Sequence, residues 1–112
     1  MLENAGVGIE RYMNLLSARQ KLVASNIANV DTPGYKTADV DFQSNFQSLL
    51  DGGTIRPTQV GGLATKNDGN NVDLDREARL LAENAMRFSV ASSLMRSQLK
   101  VVKDAIKEGA SQ

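Results

Sequence analysis

The 112-residue sequence has no cysteine, no histidine and no tryptophan. Without cysteine neither a disulfide framework nor a thiolate metal site can form, and the absence says nothing about redox compartment. Without histidine as well, the usual general bases, nucleophile pairs and transition-metal ligands reduce to carboxylates, lysines and hydroxyls. Aromatic side chains stop at three phenylalanines and two tyrosines, too few for a large globular core. Thirteen basic residues balance thirteen acidic ones, so the surplus of positive charge that holds a phosphate backbone is missing and no nucleic-acid partner is expected. Long apolar runs are missing too. Glu3, Glu10, Arg11 and Arg19 break up the first twenty residues, unlike a secretory signal, and no stretch reaches the length needed for membrane insertion. If the protein acts outside the cytoplasm, it is expected to leave without a cleaved signal.

What the chain does have is helical periodicity at both ends. From Val72 to Glu108, steps of four and three pick out Leu74, Ala78, Leu81, Ala85, Phe88, Ser92, Met95, Leu99, Val102 and Ile106, a heptad seam with one polar member. Neither Pro nor Gly interrupts it, and at about 1.5 Å rise per residue such a helix is roughly 50 Å long. A second stripe, Ala91, Leu94, Val101 and Ala105, widens the apolar face beyond what one partner helix covers. That pattern predicts assembly. Between about Gly8 and Asn29 a second amphipathic helix is expected, with Ile9, Tyr12, Met13, Leu16, Val23 and Ile27 on one face and Gln20 where an apolar residue belongs.

The sharpest local signal follows, Asn29-Val30-Asp31-Thr32-Pro33-Gly34-Tyr35-Lys36. Pro33 ends the helix near Asn29 or Val30, and Pro33-Gly34 suits the centre of a type II turn, in which Gly34 takes positive φ. Asp31 and Thr32 have short polar side chains that can bond nearby backbone amides and tighten the bend. Beyond it, Val40, Phe42, Phe46, Leu49 and Leu50 fit a short amphipathic helix, whereas Asp39 to Phe42 alternates like the start of a strand. Residues 51–71 read as a loop, able to enclose a weak hairpin near Thr54 to Ala64. Asp73 is the expected N-cap of the long helix, with Asp75 and Glu77 in its first turn. The predicted organisation is mainly α: an N-terminal helix and turn (1–36), a polar loop-rich middle with room for a short β-hairpin (37–71), and a C-terminal helix (72–112), the two long helices pairing as a coiled coil.

Candidate chemistry is sparse. Ser97-Gln98-Leu99-Lys100 matches a Ser-x-x-Lys spacing, but the Ser-Asp-Asn and Lys-Thr-Gly elements of that enzyme class are absent. The acidic run Asp68, Asn70, Asp73, Asp75 and Glu77 departs from the calcium-loop pattern, with Val72 at the third ligand position counted from Asp68. The glycines at 52, 53, 61 and 62 lack the spacing of a phosphate-cradling loop. No enzyme activity, cofactor or metal is expected.

The segment Ser25 to Lys36, Ser-Asn-Ile-Ala-Asn-Val-Asp-Thr-Pro-Gly-Tyr-Lys, resembles the N-terminal signature of the axial proteins of the bacterial flagellum, which form its rod and hook. Leu15 to Gln20, Ala38 to Phe42, Asn71 to Glu77 and Ala82 to Phe88 are similar to the proximal rod proteins in particular, so that the resemblance covers residues 9–42 and 71–108. It implies a structural rod subunit of the basal body that polymerises through its terminal helices and transmits torque. The implied partners are other rod and basal-body proteins, copies of the chain itself and the flagellar type III export apparatus, which would deliver the chain to the periplasmic rod with its termini partly disordered before assembly. Assembly residues implied are Ile9, Met13, Leu16, Val23 and Ile27 on the first helix, and Leu74, Leu81, Phe88, Met95, Leu99 and Val102 on the last. They would meet within one subunit or across to neighbours, and Asn29, Asp31, Thr32, Pro33, Gly34 and Tyr35 would set the exit angle and touch an adjacent subunit. The competing expectation is a non-flagellar coiled-coil adaptor that binds a partner helix.

Overall fold

The computed structural model describes residues 2–110; position 1 and positions 111–112, where the first and last predicted segments begin and end, lie outside the described residues. Two long helices, α1 (Leu2–Ala28) and α3 (Leu74–Ala110), pack side by side, and a short α2 (Phe42–Leu50) lies between them in sequence. The molecule is a rod of 71 × 25 × 17 Å. α1 begins earlier than its apolar stripe indicates, with Gly6 and Gly8 inside it. Each glycine costs about 1 kcal/mol against alanine, yet extending an existing helix adds a hydrogen bond for every residue fixed.

α1 ends where Pro33 requires. The Asn29 amide donates to Ser25 O at 3.1 Å and the Asn29 side chain donates to the same carbonyl at 2.8 Å, which caps the last turn. Tyr35 N then reaches Thr32 O at 3.2 Å and Gly34 sits at φ 75°, so Pro33 and Gly34 are the central residues of the expected turn. Thr32 Oγ1 donates to Asn29 Oδ1 (3.0 Å) instead of bonding a backbone amide. At the far end of the middle segment, Asp73 Oδ1 accepts from Asp75 N at 3.0 Å and from Arg76 N at 3.3 Å, the predicted cap of α3.

The middle resolves both ambiguities. Asp41, whose side chain accepts from Ser44 N, caps α2, while the two residues before Val40 form β1 (Ala38–Asp39). β1 pairs antiparallel with β2 (Thr58–Gln59), Ala38 opposite Gln59 and Asp39 opposite Thr58. Residues 54–64 therefore do not fold back on themselves as a hairpin. The chain at 37–38 is held extended by Asn26 and Asn71, whose side chains bond Ala38 N and Thr37 N, and its free edge recruits the later strand. α2 packs on α1 through Tyr12, whose ring meets Phe42 and Phe46 edge-on at 5.3 and 5.8 Å. Arg11 of α1 donates to Leu49 O at the C-terminal end of α2, where the helix dipole favours a cation.

Gly34 has open space where a Cβ would stand, but its φ of +75° is one that L side chains rarely adopt. Gly34→Val is therefore expected to cost about 1–2 kcal/mol from backbone strain, and Gly34→Asn less. Chemical denaturation of the three chains tests this, and equal midpoints for wild type and Gly34→Val would show that the turn is not held in this form.

Candidate functional site

The helix pair and the segment that joins α1 to α3 bury polar groups beside apolar ones. Among the described residues, six apolar side chains are buried (Leu15, Leu16, Val23, Val40, Val72, Ala91) against eight polar ones, Asn26, Thr37, Asp39, Asn45, Asn70, Asn71, Glu77 and Asn84. Buried polar groups are costly unless bonded, and here nearly all are. Asn26 uses its full capacity. Its amide nitrogen donates to Ala38 O (2.9 Å) and Glu77 Oε1 (3.0 Å), and its oxygen accepts from Tyr35 Oη (2.9 Å) and Ala38 N (3.2 Å). One side chain thus ties α1, the turn, β1 and α3 together.

Next to it lies a chain of charges. Arg19 grips Asp39 through two bonds of 3.1 and 3.0 Å, and Arg76 bridges Asp39 (2.6 Å) to Glu77 (2.8 Å). Burial pushes the Asp39 carboxyl up, but the Arg19 guanidinium, the Val40 amide and Arg76 outweigh it, so the group sits below its ordinary value of 3.8. Glu77 behaves oppositely. It is 0% exposed, and Oε2 has no hydrogen-bond partner among the described residues. Burial raises its pKa above 4.5 despite Arg76 and Asn26. The signature turn is braced from the other side by Asn70, whose amide donates to Asn29 O (2.8 Å) and Thr32 O (2.9 Å), and by Lys66 reaching Val30 O at 3.0 Å.

Further along, Asn84 Nδ2 donates to Leu16 O (2.9 Å) and Gln20 Oε1 (3.1 Å), which explains the polar residue in the apolar stripe of α1. The face of α3 turned toward α1 is Glu77, Leu80, Asn84, Arg87, Ala91 and Gln98, each buried or half-buried. Each stands one residue before a member of the predicted seam, Ala78, Leu81, Ala85, Phe88, Ser92 and Leu99. The seam itself faces outward: Leu74 is 50% exposed, Phe88 42% and Leu99 54%, with Leu81 and Val102 also exposed. Pairing of this seam with α1 inside one subunit is therefore corrected, because α1 presents Gln20 and Asn26 to α3 and on α3 these find their partners in Asn84 and Glu77. Of the α1 residues proposed for assembly, Leu16 and Val23 are buried, Ile9 and Met13 half-buried, and Ile27 exposed. Met95 is half-buried, and Asp31, Thr32, Pro33 and Gly34 are exposed on the turn.

An open apolar groove of about 520 Å³ is lined by Ile9, Tyr12, Phe46, Met86, Val90 and Leu94 among others, and no residue of the seam lines it. Ser97 is exposed, and Lys100 pairs with Asp104 one turn on at 3.5 Å. The acidic run acts in turns and caps, Asp68 Oδ1 accepting from Asn70 N and Asn70 Oδ1 from Val72 N, each at 2.9 Å. Asp68 to Asn71 read as a turn before α3, but the bonds of Asn70 and Asn71 to the earlier turn and to Thr37 were not foreseen, and Asn84 had no structural role assigned. The one trace of it is the Gln20 interruption, since a polar residue in an apolar stripe calls for a polar partner opposite.

A family model described as flagella basal body rod protein matches residues 12–36, the stretch that contains Arg19, Gln20, Asn26 and Tyr35. The flagellar basal body rod protein FlgB of Borrelia hermsii is 32% identical over 123 residues, covering 87% of this chain and 91% of the relative. That of Salmonella typhimurium is 30% identical over 125 residues, with 89% and 91% covered. The FlgB of Escherichia coli K12 is 29% identical over the same length and share of each chain.

The two buried carboxyls impose opposite pH slopes on the folded state. Asp39, with its pKa lowered, contributes stability that is present above about pH 4 and lost as pH falls through its folded value. Glu77, with its pKa raised, favours the folded chain below 4.5 and loses that contribution as pH rises through its folded value. Glu77→Gln should therefore flatten the decline in melting temperature between pH 4.5 and neutrality. Asp39→Asn should flatten the acid limb and cost about 3 kcal/mol near neutrality, because Arg19 loses its carboxylate partner and Arg76 one of its two. Thermal melts from pH 3 to 7.5 read both effects, and unchanged slopes in the two variants would rule out these assignments.

Proposed function

The chain belongs to the flagellar basal body rod protein family, and from that premise we propose that it is a proximal-rod subunit polymerising through its terminal helices. It is a structural subunit of the flagellar basal-body rod, located in the basal body and assembling with other rod proteins. Its relatives are named as rod proteins and not as enzymes. The finer reading adds copies of the chain itself as neighbours, delivery by the flagellar type III export apparatus without a cleaved signal peptide, a place in the periplasmic rod, and torque carried by packed helices.

The observation that carries this reading is the outward apolar seam of α3. Leu74, Leu81, Phe88, Leu99, Val102 and Ile106 are all exposed in the single chain, along a helix of 37 residues. Full burial of a Leu or Phe side chain is worth about 1.5–3 kcal/mol, and these are roughly half covered already. Each could then stabilise a contact with a neighbour by about 1 kcal/mol. Half-buried Ile9 and Met13 on α1 and the exposed turn Asp31 to Gly34 are further contacts for an adjacent subunit in this reading. The adaptor reading finds no support among the relatives.

Deleting the gene in its own host and imaging basal bodies by electron cryotomography tests this reading. The expected result is loss of swimming, with membrane rings that carry no rod. Complementation with Leu81→Glu should fail, although the purified variant keeps its helix content, because the side chain is exposed in the isolated subunit. Normal flagella in the deletion strain would refute the rod assignment, and full rescue by Leu81→Glu would refute the seam as the contact surface.

A further inference from the structure

The seam points outward because the helix pair selects the polar face of α3, and the selecting contact can be located. A cleft of about 290 Å³ lies beside the Asn84–Gln20 pair, bounded by Leu16, Ser17, Gln20, Asn84, Ala85 and Phe88. Ala85 and Phe88 belong to the apolar seam, which stands one residue, about 100° of helix rotation, from the face packed on α1. Turning α3 by that amount would carry Phe88, now at the edge of this cleft, and Leu81 toward α1. That is the arrangement hydrophobic periodicity favours, and nothing in the backbone of a straight helix forbids it.

Beside the Asn26–Glu77 and Arg87–Tyr12 bonds, at 3.0 and 3.3 Å, two side chains midway along the pair oppose it. With the seam inward, Gln20 would face Leu81 and Phe88, and its carbonyl oxygen would lose the Asn84 amide that now stands 3.1 Å away. The second hydrogen bond of that amide, to Leu16 O at 2.9 Å, would break as well. Asn84 is buried and its nitrogen has both partners on α1, so it reports rotation and axial register together. A single buried polar contact of this kind sets pairing at some expense in stability. We infer that Asn84 and Gln20 form a rotational lock that holds the polar face of α3 against α1 and thereby keeps Leu81, Phe88 and Leu99 outside. They are positioning residues: their effect on assembly runs through the seam they leave exposed. The inference does not depend on what covers the seam.

The chain contains no cysteine, so single reporter thiols read the rotation directly. Phe88→Cys places a thiol on the exposed seam, and Ala91→Cys places one where the native side chain is 2% exposed. In the otherwise native chain the thiol at 88 should react with a maleimide at least tenfold faster than the thiol at 91. Adding Gln20→Ala with Asn84→Ala removes the lock without adding apolar drive to the packed face. The ratio should then fall at least tenfold, toward equality or inversion, while helicity is retained by circular dichroism. An unchanged ratio overturns the inference, because the rotation would then be set elsewhere. Rapid labelling of both thiols together with lost helicity also overturns it, since the pair would then support folding without selecting a face. Equal labelling in the native background does so too. The measurement uses the purified chain, so it is independent of whether a rod forms.

Discussion

The structure depends on the hydrogen-bonded contact between α1 and α3. Leu15, Leu16, Val23 and Ala91 are buried on these two helices beside Asn26, Glu77 and Asn84, which bond across them, so apolar burial brings the helices together and the hydrogen bonds align them. Asn26 has four partners on three elements, and a shift of either helix would break several bonds inside a low-dielectric interior, where an unmade bond is costly. Pairing of this type is close to all-or-none in register. An apolar seam would tolerate sliding, because leucines are interchangeable neighbours.

That contact also positions the turn. Asn26 and Asn29 lie one helical turn apart at the end of α1: the first anchors Tyr35 and Ala38, and the second offers its carbonyl to Asn70. Lys36 in turn donates to Gly69 O, and a Cβ at Gly69 would stand 3.3 Å from the Gly34 Cα. The signature from 25 to 36 therefore works as a joint whose parts are fixed from both sides. It directs the chain away from the helix pair and returns it at Asp73 in line to start α3. The exit angle of the middle segment follows from these bonds and not from the turn type alone.

These relations explain which features could be read in the sequence. Helix ends were legible because their causes are local: Pro33 and Asn29 stop α1, and Asp73 caps α3. The positive φ of Gly34 followed from its place after proline. The existence of both long helices followed from periodicity. The orientation of α3 was not legible, because periodicity identifies the most apolar face and assumes that it is the one buried within the chain. Here that face is left outside, and a stripe displaced by one residue packs on α1. Gln20 carried the contrary signal, but its partner is 64 residues away and no local rule connects them. β2 was missed for the same reason, since Thr58 and Gln59 pair with Asp39 and Ala38, which lie outside the stretch where a hairpin was expected.

The end of α3 shows what this division of faces implies energetically. Every residue from Leu99 to Ala110 is exposed, and at about 1.5 Å per residue α3 outruns α1, with 37 residues against 27. The final turns therefore rest on helix propensity and on exposed pairs such as Lys100–Asp104, worth about 0.3–0.5 kcal/mol. Propagation from an established helix is close to neutral per residue, so this part of the helix has the smallest margin in the described chain. It still carries Leu99, Val102 and Ile106 on one side. A neighbour covering that side would add apolar burial where the chain has no internal means of obtaining it. The burial gained from a contact on that side is thus largest where the isolated subunit buries least.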